Sequence, residues 1–170
     1  WNPKTSEIDA ASLTDVEVIV HLAGASVAKK WTTSYKEEII ESRVLSTRLL
    51  YQTLQKTPNQ VKQIVSASAI GIYPNSLTNI YHETDLDVDV SFLGNVVKQW
   101  ENEVSQFEKL ELIVSKIRIG IVLAKNGGAL QEMVKPIKYG VGAAFGSGEQ
   151  YQSWIHVHDL AAVFYHVIEN

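Results

Sequence analysis

The sequence predicts an α/β fold, the central part of a doubly wound, Rossmann-like parallel sheet. Three observations predict it. Short runs rich in β-branched residues alternate with longer stretches whose apolar residues recur at helical spacing. The short runs are nearly continuous in apolar residues, as strands are when helices cover both faces of a parallel sheet. They also end in small or hydroxyl-bearing residues, and in such sheets ligands lie beyond the carboxyl ends of the strands.

The first strand is VEVIVHLAG (16–24), closed by Gly24. The helix after it covers 34–56 and aligns Ile39, Ile40, Val44, Leu45, Leu49, Leu50 and Leu54 on one stripe. Ser34 or Thr33 is its expected cap, Glu37 and Glu38 suit the positive end of its dipole, and Pro58 lies just beyond it. VKQIVSASAI (61–70) is the second strand. LGNVVKQWENEVSQFEKL (93–110) is the second helix, turning Val96, Val97, Trp100, Val104 and Phe107 inward. LELIVSKIRIGIVLA (110–124) is a third apolar run, broken by Gly120. ALQEMVKPIKYG (129–140) is a shorter helix interrupted at Pro136, and WIHVHDLAAVFYHVIEN (154–170) is an extended piece leading into a helix at His158 or Asp159. The residues to watch are those at the strand ends: Ala23 and Gly24, Ser66 to Tyr73, and Arg118 to Val122.

Composition narrows the function classes. A length of 170 residues suits one domain. The net charge is −4 and no polybasic run occurs, which argues against a nucleic-acid partner. The absence of cysteine excludes disulfides and thiolate metal sites and suits a cytoplasmic location. No apolar run reaches the roughly 18 residues of a membrane span. The first residues, WNPKTSEIDA, do not read as a signal peptide and lack an initiator methionine, so a fragment or a processed chain is expected.

VIVHLAG, SASAIGIY, RIGIVL and SWIHVHDLA occur in an order and spacing that resembles the extended short-chain dehydrogenase/reductase superfamily. WNP, HLAGASVAKKWT, ESRVLSTRLL, VVKQWENEV, RIGIVLAKNGGAL and GSGEQYQSWIHVHDLA narrow the likeness to YfcH-type proteins of the NAD-dependent epimerase/dehydratase family. The resemblance covers the whole chain. It implies one partial NAD(P)-binding domain over 1–170, with the start of a substrate-side segment at about 125–156. It implies nucleotide-sugar epimerase or oxidoreductase chemistry with NADP or NAD and a small-molecule substrate. An alternative is a non-catalytic cofactor-binding or protein-interaction module on the same fold. Relatives begin with a glycine-rich phosphate loop, and none precedes Val16. The chain by itself is therefore expected to hold a dinucleotide weakly or not at all. Its exposed sheet edges are expected to favour self-association.

The superfamily's Tyr-x-x-x-Lys pair works because positions i and i+4 share a helix face, so an ammonium sits near a phenol and eases its ionisation. Lys98 falls on the matching helix, but Gly94 stands four residues before it. The competing reading of Lys98 is a solvated helix residue. Ser66 and Ser68 alternate along their strand and share a face. By resemblance Ser68 hydrogen-bonds the substrate oxygen, with Ser66 the second choice for that role and otherwise beside the cofactor; the plain alternative is close packing against a helix. Tyr73 is either a substitute proton donor or a packed turn residue before Pro74. By resemblance Ala23, Gly24 and Ala67 lie along the cofactor, and Ile119, Gly120 and Val122 line its nicotinamide end. Arg43 is expected to meet a phosphate or carboxylate bidentately, or else to pair with Glu38 or Glu41. Arg118 is a cofactor-side or anchoring residue, and Trp154 and His156 border the substrate cleft or pack the hinge into the last helix. NGGAL and GVGAAFGSGEQ are read as substrate-side loops. His156, His158 and Asp159 lack a further ligand nearby, so no metal is expected, and no G-x-S-x-G elbow supports a hydrolase.

Overall fold

A computed structural model describes residues 1–144 and 146–170. Its centre is a parallel sheet of β1 (Val18–His21), β2 (Gln63–Ala69) and β3 (Ile113–Ile119), in that spatial order. The register sets Val20 beside Val65, and Ser66 and Ser68 beside Lys116 and Arg118. The crossovers are α1 (Thr33–Lys56) and α2 (Phe92–Val104). Leu13, Leu50, Leu54, Val61, Ile64 and Phe107 pack together as the core, so Ile64 marks the sheet face that these helices cover. Ser66 and Ser68 follow Ile64 at strand period and share that face. Gln63 alternates with Ile64, and its Nε2 donates to the Val167 carbonyl at 2.8 Å, which ties α4 (Val157–Glu169) to the opposite face.

Several local features differ from the sequence expectation, each for a physical reason. Thr32 caps α1: its hydroxyl accepts from the Tyr35 amide at 3.2 Å, one residue before the expected caps. Glu37 and Glu38 thereby fall beyond the first turn, away from the helix end. The face of α1 against the sheet is less apolar than its leucines suggest. Ser46 and Thr47 are fully buried there, while Ile40, Val44 and Leu45 are only half-buried. The hydroxyls make this possible, because Ser46 donates to the Ser42 carbonyl and Thr47 to the Arg43 carbonyl, each at 2.7 Å. The second helix ends at Val104 and tightens into a 3₁₀ segment over Ser105–Leu110, with Glu111 left-handed after it.

Gly120 does more than interrupt an apolar run. It divides the run between two sheets: β4 (Ile121–Ala124) pairs with β5 (Gly127–Gly128) and with β6 (Trp154–His156). A Cβ at position 120 would stand 2.5 Å from the Ser153 carbonyl oxygen, which accepts from the Ile121 amide at 2.8 Å. Only glycine lets these backbones meet. Between β5 and β6 lies α3 (Ala129–Lys138), which runs through Pro136. The expected GVGAAFGSGEQ loop contains Phe145, which lies outside the described residues. His156, not His158 or Asp159, caps α4, accepting from the His158 amide at 3.3 Å.

Candidate functional site

The carboxyl ends of β1 and β2 hold a buried polar layer between sheet and helices. His21 ends β1 and is 4% exposed. Its Nε2 lies 3.0 Å from Ser46 Oγ, and its Nδ1 lies 3.5 Å from Ser66 Oγ. Burial pushes its pKa down to about 4, so the imidazole is neutral near pH 7. Ser66 donates to the Ala67 carbonyl at 2.9 Å. Both serines face inward, with Ala67 between them half-buried on the other face.

Ser68 leads to a residue that sequence reasoning did not single out. Its hydroxyl donates to Glu101 Oε1 at 2.5 Å. Glu101 is 7% exposed on α2 and receives Arg118 bidentately, Nε to Oε1 at 2.9 Å and Nη2 to Oε2 at 3.0 Å. Arg118 Nη1 donates to the Tyr73 phenol at 2.6 Å and to the Glu83 carbonyl at 3.2 Å. Tyr73 in turn donates to the His82 carbonyl at 3.1 Å and stacks on Tyr81 at 5.3 Å. Burial alone would raise the Glu101 pKa. The hydrogen bonds from Arg118 and Ser68, with the positive charges of Arg118 and Lys116, hold it below the usual carboxylate value instead. The sequence did carry a signal. Glu101 lies on the same inward stripe as Val97, Trp100 and Val104, and a carboxylate on such a stripe requires a cation.

The structure does not bring Gly94 and Lys98 to this layer. Lys98 is exposed, with no hydrogen bond or ion pair among the described residues. Gly94 is buried beneath Asp89: a Cβ there would stand 2.2 Å from the Asp89 carbonyl oxygen. Asp89 is itself fixed by its amide, which donates to the Ile72 carbonyl at 2.8 Å. The α2 residue that does border the strand-end cleft is Leu93. Gly94→Ala is expected to destabilise the fold by about 1–3 kcal/mol through overpacking against backbone. Urea unfolding measures this, and an unchanged midpoint would contradict the close approach.

A cleft of about 760 Å³ opens beyond β2, with Gly71, Tyr73, Leu93, Tyr151 and Ser153 among its lining residues. Val122 lies within β4, half-buried, in register with Ile155, and Ile119 ends β3. Trp154 is exposed, in register with Ile121. His156 borders a different hollow of about 520 Å³, shared with Leu130, Val134 and Lys138. Trp154 and His156 therefore stand on β6 beside β4, in the smaller sheet.

At the end of β1, Arg43 packs directly on Gly24. A Cβ at position 24 would stand 2.9 Å from Arg43 Cζ. Nη1 donates to the carbonyls of Ala25 at 3.2 Å and Ile39 at 3.0 Å, and Cζ lies 5.2 Å from the Trp100 ring centre. The alternative pairing with Glu38 or Glu41 does not form. Both carboxylates face Lys4, which hydrogen-bonds Glu38 and lies 3.9 Å from Glu41. Burial lowers the Arg43 pKa, and no carboxylate offsets it among the described residues.

The profile of the NAD dependent epimerase/dehydratase family matches residues 4–90. The chain belongs to that family. Its relatives include epimerase family proteins of Staphylococcus aureus (strain NCTC 8325 / PS 47), 40% identical over 92% of this chain and 52% of the relative, and of Staphylococcus saprophyticus, 40% identical over 91% and 52%. This family member thus spans about half the length of those curated relatives. Among solved structures, the human epimerase family protein SDR39U1 (isoform 2) with NADPH superposes with a TM-score of 0.82 at 32% identity, covering 94% of this chain and 55% of that one. The nucleoside-diphosphate sugar epimerase from Corynebacterium glutamicum gives 0.79 at 30%, covering 97% and 34%. UDP-glucuronic acid 4-epimerase from Bacillus cereus in complex with NAD gives 0.80 at 15%, covering 95% and 53%, a likeness of fold alone. The described residues of this family member include no helix long and apolar enough to cross a membrane.

Proposed function

We propose that this chain carries the strand-end half of a dinucleotide cleft in an NAD(P)-dependent, nucleotide-sugar-epimerase-like oxidoreductase. The observation that carries the proposal is the end of β1, where glycine at position 24 lets the Arg43 guanidinium come up to the strand terminus with no carboxylate to neutralise it. The fit of a dinucleotide is supported by donor chemistry there, because the buried Trp100 Nε1 also has no acceptor among the described residues. The human relative binds NADPH and the Bacillus cereus fold neighbour binds NAD. When bound, the nicotinamide would accept and return a hydride. Ala23, Gly24 and Arg43 would meet the phosphate side. Ser66, Ala67, Arg118, Ile119, Gly120 and Val122 would frame the nicotinamide side. Ser68 and Tyr73 are the hydroxyls near the cleft that would hold or move a proton on leaving their present acceptors, Glu101 and the His82 carbonyl; Lys98, exposed on α2, stands away from them.

A second reading, a cofactor-binding module without catalysis, is favoured by one specific observation. Asp89 closes over Gly94, and the Tyr73 hydroxyl already donates to a main-chain carbonyl. Titration of the chain with NADPH and with NADH, followed by its four tryptophans, is expected to give weak quenching or none, and the same titration of the protein extended to the length of its relatives is expected to give saturable quenching. No change with either dinucleotide in that longer protein would defeat the cofactor reading. Binding without turnover across carbonyl and sugar-nucleotide substrates would select the non-catalytic module.

A further inference from the structure

We propose that the chain pairs with a second copy of itself, the acidic segment 83–90 of each copy lying in the lysine-rimmed hollow beside α3 of the other. The pairing goes beyond the cofactor reading and does not rest on it. Charge is segregated along the chain. Between Lys62 and Lys98 there is no lysine or arginine, and the acids there are Glu83, Asp85, Asp87 and Asp89. Between Glu111 and Glu149 the one acid is Glu132, set against Lys116, Arg118, Lys125, Lys135 and Lys138. The acidic segment alternates its carboxylates with Leu86, Val88 and Val90, and residues 85–90 form neither helix nor strand. Leu86 is 93% exposed, and Val90 is fully so. No carboxylate of the segment meets a cation among the described residues; Asp85 and Asp89 accept from the His82 and Ser91 amides, at 2.7 and 2.6 Å. In extended form such a segment sets acids on one side and apolar side chains on the other, as peptides do when they dock on another chain.

The hollow supplies the complement. Leu130 and Val134, at i and i+4 on α3, form its half-buried floor, and Lys125, Lys135, Lys138 and His156 stand around it. Lys135 is shared with Glu132, whereas the ammonium groups of Lys125 and Lys138 have no partner among the described residues. Trp154 alternates with His156 on β6 and so shares its face; it is 64% exposed, an aromatic side chain of the kind that anchors protein interfaces. Segment and hollow belong to one patch. Asp89 and Ser153 line the same cleft just before β6, and His156, which ends β6, lines the hollow, roughly 10 Å away at the rise of a strand. The segment is pinned at both ends, since Arg118 holds the Glu83 carbonyl and the Asp89 amide donates to the Ile72 carbonyl. It therefore meets the hollow of a second copy rather than its own. A two-fold pair exchanges both contacts and closes on itself.

Sedimentation equilibrium of the chain tests this. A monomer–dimer equilibrium is expected at about 20 mM salt, weakened about tenfold or more at about 500 mM. Reversing the rim of the hollow, Lys125→Glu with Lys138→Glu, is expected to weaken pairing about tenfold or more, and so is reversing the segment, Glu83→Lys with Asp87→Lys. All four side chains are exposed, so both variants should fold. If one does not, Trp154→Ala, within the same patch, is expected to weaken pairing in its place. Mixing the two reversed proteins is expected to restore a dimer. The basic segment of one then meets the acidic hollow of the other, and the second contact joins an unaltered segment to an unaltered hollow. A chain that stays monomeric at about 200 µM in low salt overturns the proposal. Association that persists through high salt and both reversals overturns it too, because open sheet edges pair through backbone rather than charge. Failure of the mixed proteins to pair has the same force.

Discussion

Glu101→Ala is expected to destabilise the folded chain by about 3–5 kcal/mol, the range for removing one partner of a buried ion pair. The side chains of Glu101 and Arg118 are 9% and 20% exposed, and the carboxylate accepts from both arginine nitrogens and from Ser68. Its removal leaves a half-enclosed guanidinium and a buried serine hydroxyl unpaired. It also loosens Arg118, which tethers Tyr73 and the Glu83 carbonyl and so anchors the segment after β2. Chemical denaturation followed by circular dichroism measures the loss. Replacing both partners together, Glu101→Leu with Arg118→Met, should recover much of it, since apolar packing of similar volume avoids the desolvation of two charges. A single-variant loss below about 1 kcal/mol would show that the pair contributes no more than a surface ion pair does.

Acidification from pH 6.5 to 4 is expected to remove roughly 3 kcal/mol of stability through His21 alone. In the unfolded chain this imidazole takes up a proton below its ordinary value of 6.5, whereas burial holds the folded pKa near 4. The unfolded state therefore binds more protons across that interval. The stabilisation is fully present above 6.5, and it is lost as pH falls toward 4. Unfolding free energies measured between pH 4 and pH 7 should show this slope, and His21→Asn should flatten it. Glu101 acts in the same direction at lower pH. Its folded pKa is depressed, so its contribution is present above the ordinary carboxyl range and is lost as pH falls through the folded value. A wild-type stability independent of pH over 4–7 would contradict the buried, neutral imidazole.

Much of the fold was legible because periodicity reports burial. The β-branched runs became β1, β2 and β3, and the 3.6-residue stripes became α1 and α2. Boundaries were less legible, since a cap depends on which hydroxyl turns back onto the chain, as Thr32 does ahead of Thr33 and Ser34. Gly120 was readable as a break, but not as the point where the chain changes sheets. That role depends on Ser153, far along the chain on the approach to β6. The same applies to Gly94. Its departure from the family's tyrosine was visible, while the reason, an Asp89 carbonyl lying where a side chain would stand, belongs to the path of a loop.

The sequence by itself determined the fold class and the strand ends at which hydroxyls, glycines and cations gather, because hydrophobic period and chain order are local properties. Only the tertiary structure decided how those groups are spent. Ser68 is committed to Glu101, Tyr73 to Arg118 and the His82 carbonyl, and the acids near Arg43 to Lys4. Such partnerships join residues tens of positions apart. They are fixed by register, by the close approach that glycine allows, and by the requirement that buried polar groups find partners.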